Sequence, residues 1–206
     1  ATTNNNDDPE HALRPYDRSR NGFVLGEGAA VLILEELGHA RRRGAKVYAE
    51  IAGFATRANA YHMTGLKADG RELAEAVRVA LDQSRLAPER IGWVSSHGTA
   101  TKQNDKHETA ALKRSLGAHA YATPVSSIKS MIGHSLVAIG AIETAACALA
   151  IDTGAIPPTA NLHHIGDDIG LDVVHGAPRD FTPAPVLSNS FGFGGHNATL
   201  ILAPVA

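Results

Sequence analysis

The chain has 206 residues, 44% of them hydrophobic and 19% charged, with 19 Lys and Arg against 21 Asp and Glu and a net charge of −2. That is an ordinary globular composition with room for one sizeable core. It holds no basic excess to grip a nucleic-acid backbone or an anionic membrane, so neither is expected as a partner.

The basic run Arg41, Arg42, Arg43 reads as a solvated helix end. The single cysteine, Cys147, excludes a disulfide framework and a cysteine-rich zinc site, and it suits a reducing cytoplasm. The opening ATTNNNDDPE is polar, has no signal-peptide pattern and lacks an initiator Met, so the natural gene is expected to begin upstream. No run is expected to supply the roughly 18 apolar residues of a membrane span.

Residues 1–20 are polar and irregular, with Arg14-Pro15 and Asp17 as turn chemistry. Val31–Leu34, approached by Gly22, Gly26 and Gly28, predicts a buried strand. A short helix follows over 35–43, stopped by Gly44, then a strand over Lys46–Phe54 and a long loop over 55–68. Asp69 with Glu72 three positions on predicts a capping box, and Leu73, Val77, Ala80 and Leu81 form one apolar helical stripe.

Ile91–Val94 reads as a short buried strand, followed by a helix from near Asp105 to Gly117, with Glu108 completing a second capping box. Val125–Ile128 is a strand, and 136–151, apolar almost all round, predicts a helix buried on every side. Short strands fit 171–174, 185–189 and 197–203. The alternation implies an α/β fold, with a mixed sheet and helices on both faces.

Ligands in open α/β sheets gather beyond the C-terminal ends of strands. Three unusual loops fall there: 95–104 with His97, 129–136 with His134, and 189–196 with its Gly-Phe-Gly-Gly turn. His134 stands just before the 136–151 helix, whose positive end disfavours an imidazolium. A neutral imidazole there is able to donate a hydrogen bond to a carbonyl oxygen that turns negative. Glu143 lies in an apolar helix and needs a partner, because an unpaired buried carboxylate is costly. Lys129 is a candidate ion-pair partner for Glu108.

No metal site is expected among the 11 histidines: His97 and His134 lack an i+4 partner, and His163 and His164 are adjacent. The chain lacks the G-x-S-x-G elbow of a serine hydrolase and the strand-to-helix G-x-G-x-x-G of a dinucleotide site. Cys147, in the middle of the apolar helix, reads as an inert core residue.

The runs RPYDRSRNGFVLGEGAAVLILEE, HGTAT (97–101), KSMIGHS (129–135) and NSFGFGGHN (189–197) occur in this order, and across essentially all 206 residues the chain resembles the C-terminal half of β-ketoacyl-acyl-carrier-protein synthases, condensing enzymes of the thiolase fold. YHMTGLKADG and GTATKQNDKHETAALKRSLG resemble the ketosynthase subunit of type II polyketide synthases, and NSFGFGGHN the elongating fatty-acid synthase.

The resemblance implies a layered α/β/α architecture and a decarboxylative Claisen condensation in polyketide or fatty-acid biosynthesis. The electrophilic histidines would be His97 and His134, with Lys129 shaping the field and pairing with Glu108. Glu143 would lie buried nearby. Thr99 and Thr101 would hold the phosphopantetheine arm of an acyl carrier protein, and Phe193 would act as gate and oxyanion-hole amide. No tightly bound cofactor is implied. No cysteine elbow occurs, so the nucleophile is expected from an N-terminal half in an assembled homo- or heterodimer, without which the chain should be inactive. Val137-Ala138-Ile139-Gly140 departs from the family's smaller run, and His196 stands where Thr or Phe is common. The alternative is a non-catalytic partner subunit resembling a chain-length factor.

Overall fold

The computed structural model describes residues 2–205. Its strands are β1 (Glu50–Ala58), β2 (Trp93–Ser95), β3 (Pro124–Ser126), β4 (Ala155–Ile156), β5 (Asp172–Val173), β6 (Arg179–Asp180), β7 (Val186–Gly192) and β8 (His196–Ala203). Its helices are α1 (Leu37–Arg42), α2 (Arg71–Ser84), α3 (Lys102–Leu116), α4 (Lys129–Ile132) and α5 (Ile139–Thr153). Six strands form one mixed sheet in the order β1-β8-β7-β2-β3-β5, and β4 pairs with β6 apart from it. β2 lies parallel to both β3 and β7, and β3 parallel to β5, whereas β8 is antiparallel to β1 and β7.

Successive side chains of a strand point to opposite faces, and this alternation divides the core in two. Val94, Val125, Val173, Leu187 and Ile201 face a cluster with Leu73, Val77, Ala80 and Leu81 of α2 and Ala111 and Leu112 of α3. Their neighbours Trp93, Val174, Val186 and Leu202 face the other side, against Cys147, Ala150 and Ile151 of α5. Helices therefore cover both faces, as the alternating sequence required, and the α2 stripe is fully buried.

Two expectations fail for lack of a neighbour. Val31–Leu34 forms no strand among the described residues; Val31 is 88% exposed and Ile33 76%, because nothing pairs with or covers the segment. α5 buries one face only: Glu143, Cys147 and Ala150 are buried, while Leu149 is 52% exposed and Val137, in the preceding 3₁₀ turn, 99%. Leu136–Thr153, 18 residues of mean hydropathy 1.7, is also long and apolar enough to cross a membrane by length and composition, contrary to expectation. Here it packs on the sheet through Cys147, Ala150 and Ile151, and a buried ion pair joins it to α4. The uncovered side of α5, the 31–34 segment and the residues around Tyr48 line a cavity of about 730 Å³.

Neither capping box forms. α2 begins at Gly70, whose backbone is left-handed (φ 62°) and which contributes no side-chain cap, and Glu72 instead pairs with Lys67 at 2.7 Å. α3 begins three residues earlier than expected, capped by Thr101, whose Oγ1 accepts the Asn104 amide at 3.3 Å. An alternative N-cap frees Asp105 and Glu108 from capping, and both are fully buried.

Candidate active site

Because β2, β3 and β7 run parallel, their C-terminal ends share one edge of the sheet. The loops that follow bring His97, Lys129, His134 and the 190–196 turn together there. His97 and His134 are both buried, and their rings meet edge-to-face with centroids 5.2 Å apart. Phe191 at the end of β7 meets His97 at 4.9 Å, and Phe23 meets His134 at 5.5 Å.

His134 is fixed by residues far away in sequence. Its amide donates to the Val24 carbonyl at 2.8 Å and its carbonyl accepts the Gly26 amide at 3.1 Å. The two backbones approach so closely that a Cβ on Gly26 would sit 2.3 Å from the Ile132 carbonyl oxygen, which requires glycine. The Leu136 amide donates to His134 Nδ1 at 3.2 Å. An accepting Nδ1 carries no proton, so in the neutral ring the proton resides on Nε2, which is free to donate.

Burial, and then the nearby Lys129 ammonium, lower the His134 pKa to about 4. The same two causes, with His134 itself as a third, hold His97 well below the usual histidine range. The imidazoles are therefore uncharged at neutral pH. As expected, His134 stands just before a helical run: the 3₁₀ turn over Leu136–Ala138 leads directly into α5, and the Leu136 amide at its start faces the ring.

Lys129 does not pair with Glu108. Its Nζ donates to Glu143 Oε1 at 2.5 Å, with both side chains wholly buried. This ion pair supplies the partner that Glu143 requires, although Oε2 of Glu143 is left without one. Burial outweighs the ammonium and pushes the Glu143 pKa up to about 7.

Glu108 instead organises the His97 loop. Its carboxylate accepts the amides of His97 (2.9 Å) and Gly98 (3.0 Å), the Tyr16 hydroxyl (3.1 Å) and Asn189 Nδ2 (3.3 Å). Burial raises its pKa against these donors and against Lys129, which acts through space without an ion pair. Asp105 does the same for the next residues, accepting the amides of Thr99 (3.1 Å) and Tyr16 (2.9 Å) beside Arg20, and burial raises its pKa to about 6.

Tyr16, Arg20, Asn189, Phe191 and Phe23 are site-building residues that the sequence reading missed. Their local signal is membership of the quoted runs RPYDRSRNGFV and NSFGFGGHN, but those runs do not show the individual roles, because the partners lie dozens of residues away. Asp17 of the first run proves to be more than a turn residue. It is buried, and although burial opposes ionisation, donors led by the His164 amide and including Ser19 and the His163 amide hold its pKa at about 2.

At the rim, Thr99 and Thr101 hydrogen-bond to each other at 2.9 Å. Phe193 is 65% exposed in the turn between β7 and β8, where Gly194 and Gly195 hold left-handed backbones (φ 89° and 83°). The Gly194 amide donates to the Met63 carbonyl at 2.7 Å, joining this turn to the 59–70 loop. Cys147 lies on the far side of Glu143 from the histidines' end of α5, fully buried, its thiol pushed up to about 12 mainly by burial, as expected of an inert core residue.

Two family models match the chain: "Beta-ketoacyl synthase, C-terminal domain" over residues 48–163 and "Beta-ketoacyl synthase, N-terminal domain" over residues 1–40. The chain is 61% identical over 203 residues to the tetracenomycin polyketide synthase ketoacyl synthase alpha subunit of Streptomyces glaucescens, covering 98% of this chain and 48% of that protein. It is 62% identical over 202 residues to the oxytetracycline polyketide putative beta-ketoacyl synthase 1 of Streptomyces rimosus, again covering 98% and 48%.

A solved type II polyketide synthase acyl-carrier protein in complex with its ketosynthase bound to the hexaketide superposes with a TM-score of 0.94 at 39% identity, over 96% of this chain and 48% of that one. The chain thus spans about half the length of the relatives it matches. With the α/β fold and the paired histidine loops as the sequence motifs implied, the chain belongs to the β-ketoacyl synthase family.

Proposed function

We propose that this chain supplies the electrophilic part of a β-ketoacyl synthase site, in polyketide or fatty-acid biosynthesis, and that the nucleophilic cysteine comes from an N-terminal half. In the reaction, that cysteine carries an acyl group as a thioester, and a malonyl group arrives on the phosphopantetheine arm of an acyl carrier protein. Loss of CO₂ leaves an enolate, with negative charge building on the malonyl thioester oxygen. His97 and His134 hydrogen-bond that oxygen. The enolate carbon attacks the acyl carbonyl, a C–C bond forms, the C–S bond to cysteine breaks, and the thiolate departs with the electron pair.

Thr99 and Thr101 at the rim suit the arm, and the Phe193 amide suits the acyl oxygen. Burial, aided by Lys129 that Glu143 holds, keeps both imidazoles neutral, and Glu108 fixes the His97 loop. The observation that carries this reading is the buried imidazole pair with rings 5.2 Å apart, in which His134 Nδ1 accepts the Leu136 amide and so leaves Nε2 to donate. Neutral donors aimed at developing charge in a dry site are effective because they need no reorganisation during reaction. The uncovered apolar strip at 31–34 and the bare side of α5 support a further segment packing there.

The test is reconstitution. The chain, joined to or co-expressed with a cysteine-bearing ketosynthase N-terminal segment, is expected to condense malonyl-carrier protein with an acyl thioester, and neither piece alone is. Failure of the pair to exceed its separate parts would count against the reading.

A further inference from the structure

His107 lies on α3, one residue before Glu108, and none of its surface is exposed. Its Nδ1 contacts the carbonyl oxygen of Lys67, 40 positions earlier in the chain. A carbonyl only accepts, so Nδ1 is the donor. Nε2 is buried with no partner. An orphaned buried nitrogen costs stability, so packing alone is a poor reason for a histidine at this position.

The same ring meets Phe191 edge-on at 5.4 Å, and Phe191 meets His97 edge-on at 4.9 Å. One buried side chain therefore touches two parts of the site. Through Lys67 it holds the base of the 59–70 loop, whose tip reaches the 190–196 turn through Met63 and Gly194. Through Phe191 it buttresses the imidazole of His97. The loop is also held by Gln103 Nε2 to the Leu66 carbonyl at 3.0 Å, the Asn59 amide to the Gly195 carbonyl at 2.8 Å, Asn197 Nδ2 to Asn59 Oδ1 at 2.7 Å and the side-chain ion pair of Lys67 with Glu72, so among these contacts only His107 takes the Lys67 carbonyl from α3. Tyr61 and Met63 on it are 63% and 75% exposed.

We propose that His107 is a positioning residue that ties the 59–70 rim of the site to the ring stack behind His97, so that the loop and the electrophile keep one relative placement. It rests on the proposed function for its catalytic consequence, but not for its structural one.

Two substitutions separate the two contacts. His107→Phe keeps a ring on Phe191 and loses the donor to Lys67. His107→Asn keeps a donor near the position of Nδ1 and loses the ring. Both are made in the assembled enzyme, and two quantities are read: amide hydrogen exchange over residues 59–70, and kcat and KM for malonyl-carrier-protein decarboxylation. Loss of one buried hydrogen bond should speed exchange near Lys67 by about tenfold in His107→Phe and raise KM with little change in kcat. His107→Asn should leave that exchange within about twofold of the wild type and lower kcat by about tenfold.

Equal changes in both variants, tracking global stability, overturn the proposal, as does no change in either. Each variant has its own readout, so poor folding of one leaves the other decisive. The exchange arm needs no turnover. If His97→Ala leaves activity untouched, the functional reading fails while the tether is still decided by exchange.

Discussion

Replacing Lys129 with methionine should destabilise the chain by about 1–2 kcal/mol at pH 8, because the buried Glu143, deprived of its counter-charge, must keep a proton that the wild type releases above pH 7. Glu143 has no solvent to fall back on, and its second oxygen already lacks a partner. Denaturant midpoints at pH 8 measure the loss.

The sign of its pH dependence follows from linkage. The folded-state pKa of Glu143 is about 7, against an ordinary 4.5, so the folded protein holds a proton there that the unfolded chain releases. That contribution is complete below pH 4.5 and fades as pH rises toward 7. Without Lys129 the fading continues to higher pH, so the deficit of the variant should be small at pH 5 and largest at pH 8. The double variant Lys129→Met with Glu143→Leu should recover most of the loss, since apolar replacement of a buried pair is often close to neutral. A single variant as stable as the wild type at pH 8 would show that the pair is not buried as described.

His97→Ala and His134→Ala should each lower turnover of the assembled enzyme by about 10²–10³-fold, the usual consequence of deleting one oxyanion-hole donor. The two rings touch, so the double variant should fall short of the product of the single losses. His134→Ala also removes the acceptor of the Leu136 amide, and folding of each variant is to be checked by its denaturation midpoint. Unaltered turnover in both single variants would instead make the chain a non-catalytic partner subunit.

Local patterns in the sequence located much of this. The α2 stripe, the sheet strands and the three loops beyond strand ends depend on periodicity and on Gly and Pro, which act over a few residues. The need of Glu143 for a partner followed from desolvation alone. Which partner it took was not legible, because Lys129 is on α4 and the choice between Glu108 and Glu143 is settled by how α3 and α5 pack on opposite faces of the sheet.

The capping boxes at Asp69 and Asp105 failed for a related reason. A carboxylate three residues from a helix start satisfies the motif whether it caps or turns inward, and at Glu108 four tertiary donors outbid the helix end. Val31–Leu34 has the composition of a buried strand, but burial depends on a neighbour, and composition carries no information about what lies beside it. The ring stack from His107 through Phe191, His97 and His134 to Phe23 joins residues from five separate stretches of chain, and no window of sequence contains it.

On the proposed function the site presents neutral imidazole donors rather than a general base or an imidazolium. Nitrogen NMR of His134 in the ¹⁵N-labelled protein, followed from pH 8 to pH 4, tests it most directly. The expected spectrum has Nε2 protonated and Nδ1 bare across that range, with protonation of the ring only near pH 4. A proton on Nδ1 at neutral pH, or a midpoint near the ordinary histidine value of about 6.5, would contradict it.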